Sequence, residues 1–344
     1  MKNNRRQFIS TAAMASLSIP LLGMKENSLV SDKLVLPTLK PAALKTGDTI
    51  AISSPAGAVW DDAQVDKYVS MLENSGFQVK RGQTLKEKDG YFAGSDELRA
   101  KEINDLFLDK NVNAIFCMKG GWGCARILDK LNYDAIKKNP KIIMGFSDIT
   151  SLLVALNAKT GLVTYHGPVG NSGWNDFTVG YVKNILVEKQ MVSYSYPDDD
   201  TDKMYTITEG KAKGILVGGN LTVLAGIIGS EYLPDWKNKI LFLEETGEEP
   251  YRVDRMLTQL KLAGVLNAIS GFIFGKCVKC EAEEPDKAFT LRKVLEQHIK
   301  PLGIPAYYGA MIGHIANKYT IPIGISAEMN ATTGELKLLE SAVL

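Results

Sequence analysis

A serine at position 147 stands where a chain would place a nucleophile. The stretch "MGFSDIT", residues 144–150, follows the apolar run Lys141-Ile142-Ile143-Met144. It precedes Ile149, Leu152, Leu153 and Leu156, which fall at the spacing of one helix face. Ser147 therefore marks the corner of a strand-turn-helix, two residues after Gly145. Such a tight turn projects a hydroxyl away from its neighbours, and the next backbone N–H, that of Asp148, points toward any oxyanion formed by attack. The second glycine of a G-x-S-x-G pattern is absent, since Ile149 takes its place. On this motif alone a helix N-cap is the more economical reading, because serine is a preferred capping residue.

An activated serine needs a base, and the chain has three histidines. His298 ends the amphipathic pattern "LEQHIK" and reads as a surface residue. His166 follows the strand pattern "LVTY" and precedes Gly167-Pro168, on the same side as Ser147, where it would line the pocket or brace a turn. His314 lies between "YYGAMIG" and "IANKYTIPIG", a glycine-hinged turn between strands with no amphipathic pattern to account for it, and is the best base candidate. A base must in turn be oriented, usually by a carboxylate. "KILFLEETGEEPYRVDRML" offers Glu244 at the end of an apolar strand, with Glu245, Glu248 and Glu249 as rivals that spacing does not exclude. Glu244 is preferred because position is best fixed nearest the strand end.

A second strand-to-helix turn supports a reactive corner. In "MKGGWGCAR", residues 118–126, consecutive glycines let the backbone approach a ligand and present N–H groups. A dinucleotide fingerprint would need glycine where Arg126 stands, which argues against a nucleotide cofactor there. An oxyanion-binding role for the Gly121 N–H fits better.

These residues require a scaffold that gathers strand ends. From Asp48 onward, apolar runs alternate with amphipathic stretches: "DTIAISS", a helix carrying Val65, Tyr68, Val69 and Leu72, "FQVKRG", a helix with Ile103, Leu106 and Phe107, "VNAIFCMKGG", "KIIMG" and "GLVTYHGP". That alternation predicts an α/β fold with a parallel sheet covered by helices on both faces. Ligands of such sheets bind outside the C-terminal strand ends, where Ser147 falls. Between 171 and 207 the pattern dissolves into "NSGWNDFTVG" and "SYPDDDTDK", which reads as a connection. Residues 208–344 are richer in short strands and turns and read as a second, smaller β-rich α+β domain behind a first domain spanning 40–170.

Forty basic against thirty-nine acidic side chains argue against nucleic acid or an anionic membrane as partner. A small molecule or peptide is the expected ligand. The first 24 residues have a basic start (Lys2, Arg5, Arg6) and then a small-residue apolar stretch too interrupted to span a bilayer. They read as an export signal of twin-arginine type, with residues up to 39 as a tether and a periplasmic destination. A disordered basic tail is the alternative, and it would leave the protein in the cytoplasm. Cys117 and Cys124 read as small core residues. The pair Cys277 and Cys280 has the spacing of a redox-active pair or half a metal site, but no second C-x-x-C or paired histidines complete four ligands, so a functional role is not the preferred reading.

Taken in order, "GDTIAISSPAG", "FAGSDELRAKEINDLF", "KGGWGCARIL", "IIMGFSDITSLL", "HGP", "GGNLTVL", "LFLEETGEEPYRVDRMLTQL" and "GHIANKYTIPIG" resemble the LD-carboxypeptidase family of serine peptidases. That family includes muramoyltetrapeptide carboxypeptidases and microcin C self-immunity hydrolases. The resemblance covers residues 40–344. It implies a Ser-His-Glu triad of Ser147, His314 and Glu244, an oxyanion hole from the N–H groups of Gly121 and Asp148, and no metal or cofactor. It also implies a flavodoxin- or Rossmann-like N-terminal domain, a smaller β-rich C-terminal one, a homodimer, and a muropeptide substrate losing its terminal D-alanine. Hydrolysis of peptidyl or aminoacyl nucleotides is the alternative within the family, and a periplasmic solute-binding protein is the alternative outside it. Lys119 stands where the family usually has arginine and Trp122 where it has tyrosine, departures that bear on substrate contacts. A carboxypeptidase must also recognise a free C-terminus. The candidates are the turn "SSPAG", Ser54 and Pro55 included, together with Lys119, Arg126, Trp122 and His166.

Overall fold

Runs of four or five apolar residues bounded by glycine or polar turns are too short for helices and form buried strands instead. In the computed structural model, residues 36–196 and 204–344 are described. The expected export signal lies outside them, as does most of the acidic tract in the middle of the chain. Residues Leu36–Leu344 form one compact unit, and among the described residues no helix is long and apolar enough to cross a membrane.

Five strands open the fold: β1 (Thr49–Ser53), β2 (Gln78–Arg81), β3 (Ala114–Cys117), β4 (Ile142–Gly145) and β5 (Thr164–His166). All pair in parallel, in the order β5-β4-β3-β1-β2. This is a flavodoxin-like order whose switch point, where connections leave in opposite directions, lies between β1 and β3. The strands β3 and β4 are buried at every position, as strands covered on both faces must be.

The second sheet contains β6 (Ser193–Tyr194), β7 (Tyr205–Thr208), β8 (Lys211–Asn220), β9 (Lys239–Glu244), β10 (Gly271–Gly275) and β11 (Ala306–Ala310). Its last two strands are β13 (Ser326–Asn330) and β14 (Glu335–Leu338). Its centre, β8-β9-β10-β11, is parallel, and its flanking strands are antiparallel. The strand β12 (Ile321–Ile323) returns to the first sheet and pairs antiparallel with β5, placing Ile321 opposite His166. The α/β reading of the first half and the strand-rich reading of the second therefore hold, and the second sheet adds a parallel centre to its antiparallel flanks.

One element was illegible in sequence. The stretch read as connection contains the helix Asp176–Leu186, capped by Asn175, whose side chain accepts the Thr178 N–H at 3.0 Å. Gly180 and the polar residues interrupt its apolar spacing, but Thr178, Ile185 and Leu186 are buried. The helix exists because tertiary packing supplies what local propensity lacks.

Candidate active site

Helix Ile149–Thr160 fixes the serine corner. Ile149, Leu152, Leu153, Val154 and Leu156 are fully buried, and each such side chain contributes about 1.5–3 kcal/mol. That sum exceeds the roughly 1–2 kcal/mol cost of a left-handed non-glycine residue. The packing can therefore hold Ser147 at φ 63°. Asp148, rather than Ser147, occupies the N-cap position. The Ser147 carbonyl accepts the Thr150 N–H at 2.9 Å, while among the described residues its hydroxyl caps no backbone N–H. A strained backbone presenting an uncommitted hydroxyl is what a nucleophile requires and what a capping serine does not show.

Gly120 sits against this hydroxyl. A Cβ built there would meet Ser147 Cβ at 2.9 Å and Oγ at 3.0 Å, so any side chain at 120 would cover the serine. The next residue, Gly121, takes φ 116°. Asp148 ties the two turns together: its Oδ2 accepts the Cys124 N–H at 2.8 Å. Burial pushes the Asp148 carboxyl above its usual range, opposed by the N–H groups of Cys124 and Gly123 and the charge of Arg99.

Arg99, fully buried, staples the loops around that corner. It donates to the Pro55 carbonyl at 2.7 Å, to the Gly123 carbonyl at 2.9 Å and to the Gly94 carbonyl at 3.2 Å, and it pairs with Asp96. Ile103 and Leu106 mark the helix of "DELRAKEINDLF" in sequence and Arg99 does not, although it lies on the same face, four residues before Ile103. A charged side chain at a buried position gives no hydropathy signal.

The proposed substrate-binding residues divide by what they touch. Ser54 and Pro55 are buried in the wall: the Ser54 hydroxyl donates to Gly57 O at 2.7 Å, and its N–H donates to Thr84 Oγ1 at 2.8 Å. The Gly57 N–H then donates to Gly120 O at 3.1 Å, joining the β1 and β3 turns across the switch point. Lys119 donates to Ala58 O at 3.0 Å. Arg126 is paired with Asp96 at 2.8 Å and lies over the Phe92 ring at 4.9 Å. Trp122 stands 47% exposed beside the glycine turn.

On the second sheet, Glu244 ends β9 and is fully buried, while His314 follows β11. The His314 Nδ1 to Glu244 Oε2 distance is 2.8 Å. Burial would raise the Glu244 carboxyl, but the hydrogen bond and charge of His314 outweigh it and hold it below its usual range. Gly313 makes room for this pair: it takes φ 108°, and a Cβ there would fall 2.5 Å from Glu244 Oε2. The other glutamates are engaged elsewhere. Glu245 accepts from the Thr222 N–H at 2.8 Å and hydroxyl at 2.7 Å, Glu248 faces Arg252 at 3.6 Å, and Glu249 accepts the Glu283 N–H at 3.2 Å.

Phe146 links the two halves. This residue before Ser147 packs edge-on against His314 at 4.8 Å and against His166 at 5.9 Å. Among the described residues no hydrogen bond joins Ser147 Oγ to His314, a contact that commonly tightens only around substrate. His166 is 2% exposed, and neither ring nitrogen has a partner among the described residues. Burial drives it down to about 4, so it is neutral at physiological pH. His298 instead pairs with Asp254 at 2.6 Å. The helix Asp176–Leu186 clamps the His314 loop: Asn175 Nδ2 donates to Asn317 Oδ1 at 2.7 Å, and the Lys318 N–H donates to Thr178 Oγ1 at 3.2 Å.

Comparison with known proteins matches the chain to one family. Residues 50–167 match the LD-carboxypeptidase N-terminal domain, and residues 213–329 match the LD-carboxypeptidase C-terminal domain. The chain is 38% identical over 312 residues to the probable murein peptide carboxypeptidase of Bacillus subtilis, covering 88% of this chain and 95% of that one. It is 31% identical over 334 residues to the microcin C7 self-immunity protein MccF of Escherichia coli, covering 88% and 96%. A solved structure of MccF superposes with a TM-score of 0.82 at 29% identity, over 89% of this chain and 100% of that one. The muramoyltetrapeptide carboxypeptidase of Oxalobacter formigenes superposes with a TM-score of 0.74 at 28% identity, over 84% and 97%. The chain thus belongs to the LD-carboxypeptidase family and is a hydrolase of the serine-type carboxypeptidase class.

Proposed function

We propose that the enzyme releases the terminal D-alanine from cell-wall tetrapeptides, cutting the bond that joins it to the L-configured centre of meso-diaminopimelate or lysine. Ser147 Oγ attacks the scissile carbonyl carbon while His314 Nε2 takes its proton. Glu244 holds the His314 Nδ1–H and stabilises the imidazolium. The N–H groups of Gly121 and Asp148 bind the oxyanion. Collapse breaks the C–N bond, and His314 returns the proton to the amine of D-alanine. Water then attacks the acyl-enzyme ester with His314 as base, freeing Ser147 and the tripeptide. The observation that carries this reading is the 2.8 Å Glu244–His314 pair, packed through Phe146 against a strained serine with a free hydroxyl. The name of the Bacillus subtilis relative supports the substrate class.

Hydrolysis of peptidyl or aminoacyl nucleotides is the second reading, favoured by the higher TM-score with MccF. A panel separates the two: muramoyl tetrapeptide and a peptidyl adenylate are offered to the purified enzyme, and cleavage of the tetrapeptide alone is expected. Exclusive cleavage of the adenylate would replace the first reading by the second.

We also infer export. Arg5-Arg6 and the apolar stretch after them support it. So does the Cys277–Cys280 disulfide, since such bonds persist in oxidising compartments. Replacing both arginines by lysine should shift the protein to the cytoplasmic fraction, and an unchanged distribution would count against this route.

A further inference from the structure

A peptidase confined to C-termini needs a cation or several N–H donors for the terminal carboxylate, and the cations around the serine corner are committed elsewhere. Arg126 is held by Asp96, Lys119 by the Ala58 carbonyl, and Arg99 by three carbonyls and Asp96. Lys318 remains. It lies in the loop that carries His314, is only 5% exposed, and its ammonium sits 4.4 Å from the centroid of the Phe146 ring. Among the described residues no oxygen accepts a hydrogen bond from it. The nearby acid that acts on it is Glu244, whose Oε2 is already held by His314.

A buried ammonium without an anionic partner is costly and persists where function requires it. The loop spends structure on this one, since Thr178 receives the Lys318 backbone N–H and Asn175 anchors Asn317 beside it. Phe146 sets its position relative to the chemistry, because one ring carries the ammonium on its face and packs edge-on against the base. The leaving amine must lie next to His314 to receive its proton, and in D-alanine the carboxylate is one carbon from that amine.

We propose that Lys318 is the specificity residue of this enzyme, its ammonium binding the free carboxylate of the departing D-alanine. The assignment rests on the carboxypeptidase reading above and extends it. Burial lowers the Lys318 ammonium to about 8, opposed by the Glu244 charge, so it remains largely protonated near neutrality. An arriving carboxylate replaces the missing anion, whereas an internal peptide bond or an amide leaves the ammonium unpaired.

The test measures binding without turnover. In the Ser147→Ala background, calorimetry compares L-Ala-γ-D-Glu-L-Lys-D-Ala with the same peptide ending in D-alaninamide. The acid is expected to bind roughly 10- to 100-fold tighter, the range of one charge-assisted hydrogen bond. Adding Lys318→Met or Lys318→Gln should bring the acid down to the amide's affinity and leave the amide unchanged, and Lys318→Arg should retain most of the preference. Thermal unfolding checks that each variant folds. Equal affinity of the Ser147→Ala protein for acid and amide, none for either included, overturns the proposal without any lysine variant. A preference that survives Lys318→Met overturns it too. If the lysine-dependent preference is found but the wild-type enzyme releases no D-alanine, the functional reading falls and the carboxylate site stands.

Discussion

Ser147 combines two separable properties, a hydroxyl proposed here as the nucleophile and a strained backbone. Ser147→Ala should lower turnover by roughly 10⁴-fold or more, as when a triad nucleophile is removed. Ser147→Gly should be equally inactive yet at least as thermally stable as Ser147→Ala, because glycine adopts φ 63° without the left-handed penalty. A lower melting temperature for the glycine variant would mean that this backbone is not strained. Glu244→Gln keeps the shape but loses the charge that orients His314, and should cost roughly 10³- to 10⁴-fold in kcat. A loss below tenfold would assign Glu244 a packing role. The glutamate and serine positions are legible in sequence because one ends and the other closely follows a recognisable apolar strand, and His314 because it falls in a glycine-hinged turn between strands. Sequence favours Glu244 from its place at the strand end but does not exclude its three rivals, since only the fold reveals which of them faces His314.

At the scale of elements, the site depends on loops held by side chains that hydropathy does not mark. Arg99 gathers the turns after β1 and β3, and Arg99→Met should cost on the order of 3–5 kcal/mol by leaving Asp96 and three carbonyls short of a donor. Chemical denaturation measures that cost, and a change under 1 kcal/mol would contradict the stapling role. Gly313→Ala should act differently, lowering kcat by tenfold or more with a smaller loss of stability. Its Cβ would crowd the Glu244 side chain, with Oε2 at 2.5 Å and Cβ at 2.9 Å, and alanine would add the cost of a positive φ at that one position. Steady-state kinetics beside a melting curve distinguish the two effects. The helix Asp176–Leu186 belongs to the same class of hidden determinants. Gly180 and polar residues break its pattern, so the sequence reads as connection there, yet its N-terminal end anchors the loop that carries His314, the proposed base.

For the molecule as a whole, the burial of titratable groups around the Glu244–His314 pair sets a pH dependence of stability. His166 has its folded value depressed from 6.5 to about 4, by burial first, with Glu244 opposing and His314 and Lys318 reinforcing the shift. As pH falls below 6.5 the unfolded chain takes up a proton that the folded one refuses, so stability drops, and the loss levels off below about 4. The full effect is about 3 kcal/mol at 1.36 kcal/mol per unit. His166→Phe should therefore lose less stability than the wild type between pH 7 and pH 4.5, and parallel losses would show that His166 is not buried as a neutral ring. The central claim is tested most directly by the fate of the tetrapeptide. L-Ala-γ-D-Glu-L-Lys-D-Ala is incubated with the wild-type enzyme and with Ser147→Ala, and free D-alanine is followed over time. The account predicts stoichiometric tripeptide and D-alanine from the wild type and a background rate from the variant. Comparable release by both proteins, or an intact tetrapeptide in the presence of the wild-type enzyme, would contradict it.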